Sequence, residues 1–302
     1  MTNKNVCLTS LFRGKLSRMK HYLATITAII FWSASVVGTK IAYRSFSPLL
    51  LCLIRFIISL VFLHILRVMR HDDTRMKKEY LKPVILSALL GISIYYALEN
   101  IGISLTTASD ASLISGSYPA ITALLGYIVY HDRITRKQSL GIFISIIGVA
   151  VLTSYTSAQV SPLRLLGNIL LIIDGFLWGF YNYLTQSVTD QYDTVTLTYY
   201  QILFGTVMLA PFVLIEHPSV ISVSVQTIAA VLFLSLGCTV SALMLYNYGL
   251  SGIPAYSASV ILNLMPVFGV LFSFMILHET ITFRQLIGGI IILAGVRMSI
   301  RK

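Results

Sequence analysis

The sequence predicts an all-α integral membrane protein of ten transmembrane helices, arranged as two inverted five-helix repeats. Three observations carry that reading. The chain of 302 residues is 56% hydrophobic and only 11% charged, whereas soluble domains carry roughly 25% charge. Its apolar runs recur at about 20 residues each, the length a helix needs to cross a bilayer. Finally, the stretch Asn100 to Val149 is written again from Asn247 to Val296, where 17 of 50 positions agree without a gap. The matches pair Asn100 with Asn247, Gly102 with Gly249, Pro119 with Pro266, His131 with His278, Thr135 with Thr282 and Gln138 with Gln285. Such self-similarity marks a duplication, and each copy belongs to half of the chain.

Residues 1–20 form a basic tail holding Lys4, Arg13, Lys15, Arg18 and Lys20. The apolar run that follows is too long for a signal-peptide core and lacks a small-residue cleavage site, so it reads as an uncleaved first span. The first repeat covers 21–155, with spans at roughly 22–43, 48–68, 83–104, 107–130 and 137–155. The second covers 164–300, with spans at roughly 164–187, 194–215, 225–249, 254–277 and 284–300. Pro48, Pro83 and Pro254 stand at predicted span starts, where a missing N–H costs little. Pro119 and Pro266 fall inside spans four and nine. There a proline frees the carbonyl four residues back, at Ser115 and Leu262, and makes each site a candidate hinge. Connections are short, so function is expected inside the bundle.

Lys and Arg set the orientation. With the N-terminus inside, inner segments hold 17 of them and outer segments 3 (Arg44, Arg164, Arg284). This bias predicts a multi-pass protein of a bacterial inner (cytoplasmic) membrane with both termini in the cytoplasm. The formal charge of +11 thus reports topology, and no nucleic-acid partner is expected. Five spans per repeat is an odd number, so the second copy enters from the opposite side. Inverted repeats place a substrate site near mid-depth between the halves. The expected partners are a small-molecule substrate, protons as a coupling ion and the lipid bilayer, for a monomer or homodimer.

Three cysteines (Cys7, Cys52, Cys238) form neither a disulfide framework nor a metal spacing. There is no glycine-rich phosphate loop and no His-Glu-x-x-His pattern. His131 and His278 end their spans beside an acid and read as interfacial. No cofactor, no metal and no enzymatic activity are expected.

Ten spans in two homologous halves, with Ala-Ser-Asp-Ala-Ser-Leu-Ile and Pro119 in span four and Ser-Ala-Ser and Pro266 in span nine, resemble the EamA-type family of the drug/metabolite transporter superfamily. The span ends His131-Asp132-Arg133-Ile134-Thr135 and His278-Glu279-Thr280-Ile281-Thr282 are similar to it too, although Thr280 stands where an Arg or Lys is usual. The resemblance implies exporters or exchangers of amino acids, other small metabolites and drugs. It also implies a cavity lined by spans one, three, four, six, eight and nine.

Charges within spans are the sharpest site signal, because each costs about 2.5–3.5 kcal/mol near a helix centre. They are Lys40, Arg55, Glu99, Asp110 and Asp174. The first four lie in the outer part of the first repeat, within about 5–11 Å of its boundary. Arg55 and Glu99, on a predicted helical hairpin, are the favoured ion pair, with Lys40 and Asp110 as further gating or pairing charges. Their repeat equivalents Gln186, Gln201, Tyr246 and Ser257 are neutral. Asp174 lies roughly 15 Å into span six. With Trp178, Tyr181, Asn182 and Thr185 it forms one helical face that should line a cavity. Trp32, the repeat partner of Trp178, is expected to oppose it as an aromatic clamp. Tyr95, Tyr246 and Asn263 complete the expected binding set. The reading is a secondary carrier that exports a small amphipathic metabolite, an amino acid or related compound, by alternating access. Lys40 or Arg55 would meet a carboxylate, and Asp174 or Glu99 an amine or proton. The alternatives are a permease or exchanger of another solute class (nucleoside, amine or cofactor-like metabolite), and a channel or non-transporting scaffold.

Overall fold

The computed structural model describes residues 3–106, 114–153, 162–216, 218–277 and 282–300, without the side chains of residues 3–17, Lys40 and a few other helix positions. Asp110 and His278 lie outside the described residues. The described chain is a bundle of helices: α1 Asn3–Ala42, α2 Pro48–Met69, α3 Lys78–Ala88 continued as Tyr95–Leu105, α4 Tyr118–Val129 and α5 Arg136–Thr153. The second repeat gives α6 Pro162–Gln186, α7 Thr194–Ile215, α8 Val225–Leu232 continued as Ala242–Leu250, α9 Ala255–Ile261 continued as Met265–Leu277, and α10 Phe283–Ile300. Among the described residues, six helical stretches are long and apolar enough to cross a membrane, while Tyr118–Val129 and Leu286–Ile300 are apolar but shorter.

Most helix packing is preserved when the two repeats are exchanged. Helix α1 packs on α8 and α9, and its counterpart α6 packs on α3 and α4. Helices α2 and α7 pack on each other, as do α5 and α10, and α4 and α9. Equivalent helices run in opposite directions. The backbone N–H of Leu49, at the start of α2, donates to Glu216 Oε1 at 3.0 Å, just beyond the end of α7. At the other end Arg70 Nη1 lies 3.5 Å from Asp193 Oδ1. Ser299, near the end of α10, donates to the Gln138 carbonyl in the first turn of α5 at 3.3 Å. Antiparallel equivalents require a two-fold axis perpendicular to the helices.

Helix ends are fixed by side chains that supply acceptors for unpaired N–H groups. Asp193 Oδ1 accepts from Val195 N at 3.0 Å, and Ser224 Oγ from Thr227 N at 3.1 Å. Glu216 does the same for α2 from another helix, accepting from Leu49 and Leu50. Helices α5 and α10 approach through small residues: a Cβ on Gly148 would meet Ile292 N at 2.6 Å, and one on Gly295 would meet Ser145 N at 2.5 Å.

Residues from Asn3 are helical, so the basic stretch is continuous with α1. One expectation is corrected. Helix α3 starts at Lys78, which puts Pro83 inside it rather than at its start. Helices α3 and α8 are not regular: Leu89–Ile94 and Phe233–Ser241 form wide turns with five-residue hydrogen-bond spacing. Their last six residues, 89–94 and 236–241, are repeat equivalents.

Candidate functional site

The wide turns meet the middle of α1 and α6, and their displaced backbone recruits side chains. Trp32 Nε1 donates to the Cys238 carbonyl at 2.9 Å. Thr239 Oγ1 donates to the Leu234 carbonyl, five residues back, at 3.0 Å. In α3 the wide turn brings Gly91 against Tyr181, so close that a Cβ there would fall 2.2 Å from the ring.

An aromatic cluster fills the middle. The rings of Trp32 and Trp178 meet edge-on at 5.7 Å. Tyr246 lies 5.2 Å from Trp32 and 5.3 Å from Trp178. Tyr95 lies 5.2 Å from Trp178, and Tyr181 stacks on Trp178 at 5.0 Å. Beside this cluster is a cavity of about 580 Å³, which extends to Tyr43 and Pro48 at the α1–α2 turn. Trp32, Arg55, Tyr95, Tyr96, Glu99, Asn100 and Trp178 line it. The size suits a small metabolite, and mostly apolar walls with a few polar groups are the usual make-up of a ligand site.

The polar groups are placed individually. Arg55 Nη2 donates to Thr239 Oγ1 at 3.1 Å, and its guanidinium lies 5.8 Å from the Tyr96 ring centre. Tyr95 donates to Glu99 Oε1 at 3.0 Å, one helical turn along α3. Tyr43 donates to Asn100 Oδ1 near the mouth. The expected Arg55–Glu99 ion pair is not formed: the ion pairs among the described residues are Arg67–Asp72 and Arg70–Asp193. Each member has a nearer partner, Glu99 on its own helix and Arg55 on the wide turn of α8.

Beyond the aromatic cluster the halves close on each other through buried polar contacts. Asp174 is fully buried and accepts from Tyr118 Oη at 3.2 Å. Within the second repeat, Tyr246 donates to Asn182 Oδ1 at 2.9 Å, and Tyr181 to Asn247 Oδ1 at 2.9 Å. Asn263 donates to Ser145 at 2.8 Å. Further along, Thr122 meets Ser259 at 3.1 Å, Gln138 donates to Tyr256 at 2.6 Å, and Tyr183 donates to Asp132 at 2.9 Å. Past this layer is a second hollow of about 1290 Å³, lined by Arg18, Asp132, Asp190 and Arg297 among others.

Of the expected binding residues, the structure brings Trp32, Tyr95, Glu99 and Trp178 to the cavity wall, with Arg55 from the gating set. Asp174, Tyr181, Asn182, Tyr246 and Asn263 lie in the buried layer behind it. Lys40 has no described side chain, and Asp110 is outside the described residues. Pro119 stands beside the break at Ser117, and Pro266 just after the tight turn Leu262–Leu264. Sequence reasoning missed Thr239, whose hydroxyl had no visible signal in an apolar run.

A bundle of apolar helices in two copies, with a small-molecule cavity between them, is the framework of a membrane transporter. The EamA-like transporter family model matches residues 19–154 and 165–301. The chain belongs to that family, and it is a multi-pass membrane protein. An uncharacterized transporter of Archaeoglobus fulgidus is 32% identical over 285 residues, which cover 93% of this chain and 97% of that protein. The uncharacterized transporter YoaV of Bacillus subtilis is 22% identical, over 93% of this chain and 97% of its own. A crystal structure 18% identical to this chain shares the fold, with a TM-score of 0.80 over 92% of this chain and 96% of that one.

Proposed function

We propose that this protein is a secondary carrier that exports a small amphipathic metabolite, an amino acid or related compound, from the cytoplasm by alternating access. The supporting observation is the cavity between the halves, which extends to the α1–α2 turn while buried contacts between the repeats close its other side. In this reading all ten helices cross a bacterial inner membrane, both termini are cytoplasmic, and the α1–α2 turn faces outward. The described conformation is then outward-open. Rocking one repeat against the other would open the Thr122–Ser259 layer and close the mouth, as antiparallel equivalents allow. Trp32, Trp178 and Tyr95 would hold the apolar part of the substrate. Glu99 and Asp174 are the acids available to an amine or a coupled proton.

The test is counterflow in liposomes containing the purified protein. Preloaded unlabelled amino acid should accelerate uptake of the labelled compound and saturate with concentration. Flux that neither saturates nor responds to preloading contradicts a carrier and favours a channel.

A further inference from the structure

We propose that Arg55 is an anion anchor that binds the substrate's carboxylate, so that the cavity accepts small organic acids and zwitterions and discriminates against their amides and amines. This rests on the transport reading above and adds a substrate class to it. Arg55 is 6% exposed and belongs to neither ion pair among the described residues. A buried guanidinium is costly unless an anion or a full set of acceptors compensates it. Here the compensation is partial: one Nη donates to Thr239, and Nε is buried without an acceptor. The guanidinium is a planar fork of five donors with no acceptor, matched to the two oxygens of a carboxylate.

The surroundings hold that fork in place. Thr239 gives its own proton to the Leu234 carbonyl, so its oxygen is turned to receive Arg55. Glu99 shares the cavity but is hydrogen-bonded by Tyr95. A guest carboxylate on Arg55 would leave its apolar part against Trp32 and Trp178, which selects organic acids over inorganic anions. The other repeat has no such anchor. Its equivalent Gln201 is neutral, and its amide already bonds Ser87, Thr185 and Asn247. The anchor therefore belongs to the cavity beside the α1–α2 turn alone.

The test is ligand titration of the purified full-length protein in detergent, followed by the fluorescence of Trp32 and Trp178, the only two tryptophans. The probes are L-leucine and isovalerate, which carry a carboxylate, and leucinamide and isoamylamine, which do not. The wild type should bind both carboxylates about tenfold or more tightly than the other two, the scale of a lost charged hydrogen-bond partner. R55Q should lose that preference with an unchanged melting temperature. T239V should weaken carboxylate binding several-fold while keeping the preference. The proposal is overturned if the wild type binds leucinamide or isoamylamine as well as the acids, if it binds neither acid, or if R55Q retains the preference. The wild-type comparison stands even where R55Q does not fold. Carboxylate-selective binding without counterflow would sink the carrier reading and leave the anchor. Counterflow indifferent to the carboxylate would do the reverse.

Discussion

Trp178 has Trp32, Tyr95, Tyr181 and Tyr246 within about 6 Å of its ring. Such contacts are each worth roughly 0.5–1.5 kcal/mol beyond burial, so the ring braces the cavity as well as lining it. Trp178→Ala should lower transport at least tenfold and destabilise the protein by about 3–5 kcal/mol; Trp178→Phe should keep the fold and still lose much of the flux. Proteoliposome uptake alongside thermal melts separates the two effects, and full flux in both variants would remove Trp178 from the site. Asp72, outside the spans, supports a prediction of another kind. Burial pushes its carboxyl up, but hydrogen bonds from Arg67, Thr196 and Thr74 outweigh it and hold the group below the usual carboxylate range. Its folded pKa is therefore lower than the unfolded 3.8. Its stabilisation is present above about pH 4 and lost as pH falls further, where the unfolded chain takes up the proton first. Asp72→Asn should cost about 1–3 kcal/mol at neutral pH, leaving Arg67 Nε without its carboxylate, and should flatten the acid limb of the stability profile. Identical acid limbs in wild type and variant would contradict this.

The paired wide turns in α3 and α8 define the site at the scale of elements. At Gly91 α3 packs directly on α6, and a Cβ there would enter the Tyr181 ring. Gly91→Ala should therefore destabilise by about 1–3 kcal/mol and displace Tyr181 from Trp178, with an altered Trp emission spectrum as the readout. An unshifted melt and spectrum would mean that α3 and α6 are not in such contact. The helices themselves were legible in the sequence, because apolar runs, basic loops and the internal repeat all follow from the cost of exposing backbone and charge to lipid. So was the meeting of Trp32 with Trp178, since the duplication relates them. The wide turns were not legible: an apolar pattern reports which face is buried, not whether hydrogen bonds reach back four residues or five. The Arg55–Glu99 pairing failed for the same reason. Depth brought the two into one cavity, but Thr239, set by the wide turn, and Tyr95, one turn away from Glu99, decided their partners. Asp174 was read as lining the cavity; it lies fully buried in the layer behind it, and that layer could be found only from the packing of the halves.

Across the whole molecule, one arrangement of antiparallel equivalents accommodates an open side and a closed one. Charged residues of the first repeat line the open side, and hydrogen-bonded neutral equivalents such as Gln201 and Gln186 lie in the closed one. The exchange of packing partners between repeats would let the opposite conformation that alternating access requires reuse much of the same packing. The Thr122–Ser259 contact is the most direct handle on that exchange, since one residue comes from each repeat and their hydroxyls are 3.1 Å apart. The decisive measurement is counterflow by the double variant T122C/S259C, in a background where Cys7, Cys52 and Cys238 are serine, under oxidising and then reducing conditions. Alternating access predicts that the disulfide stops flux, that reduction restores it, and that the locked protein still binds substrate from the side of the α1–α2 turn. Equal counterflow in the cross-linked and reduced states would contradict the account.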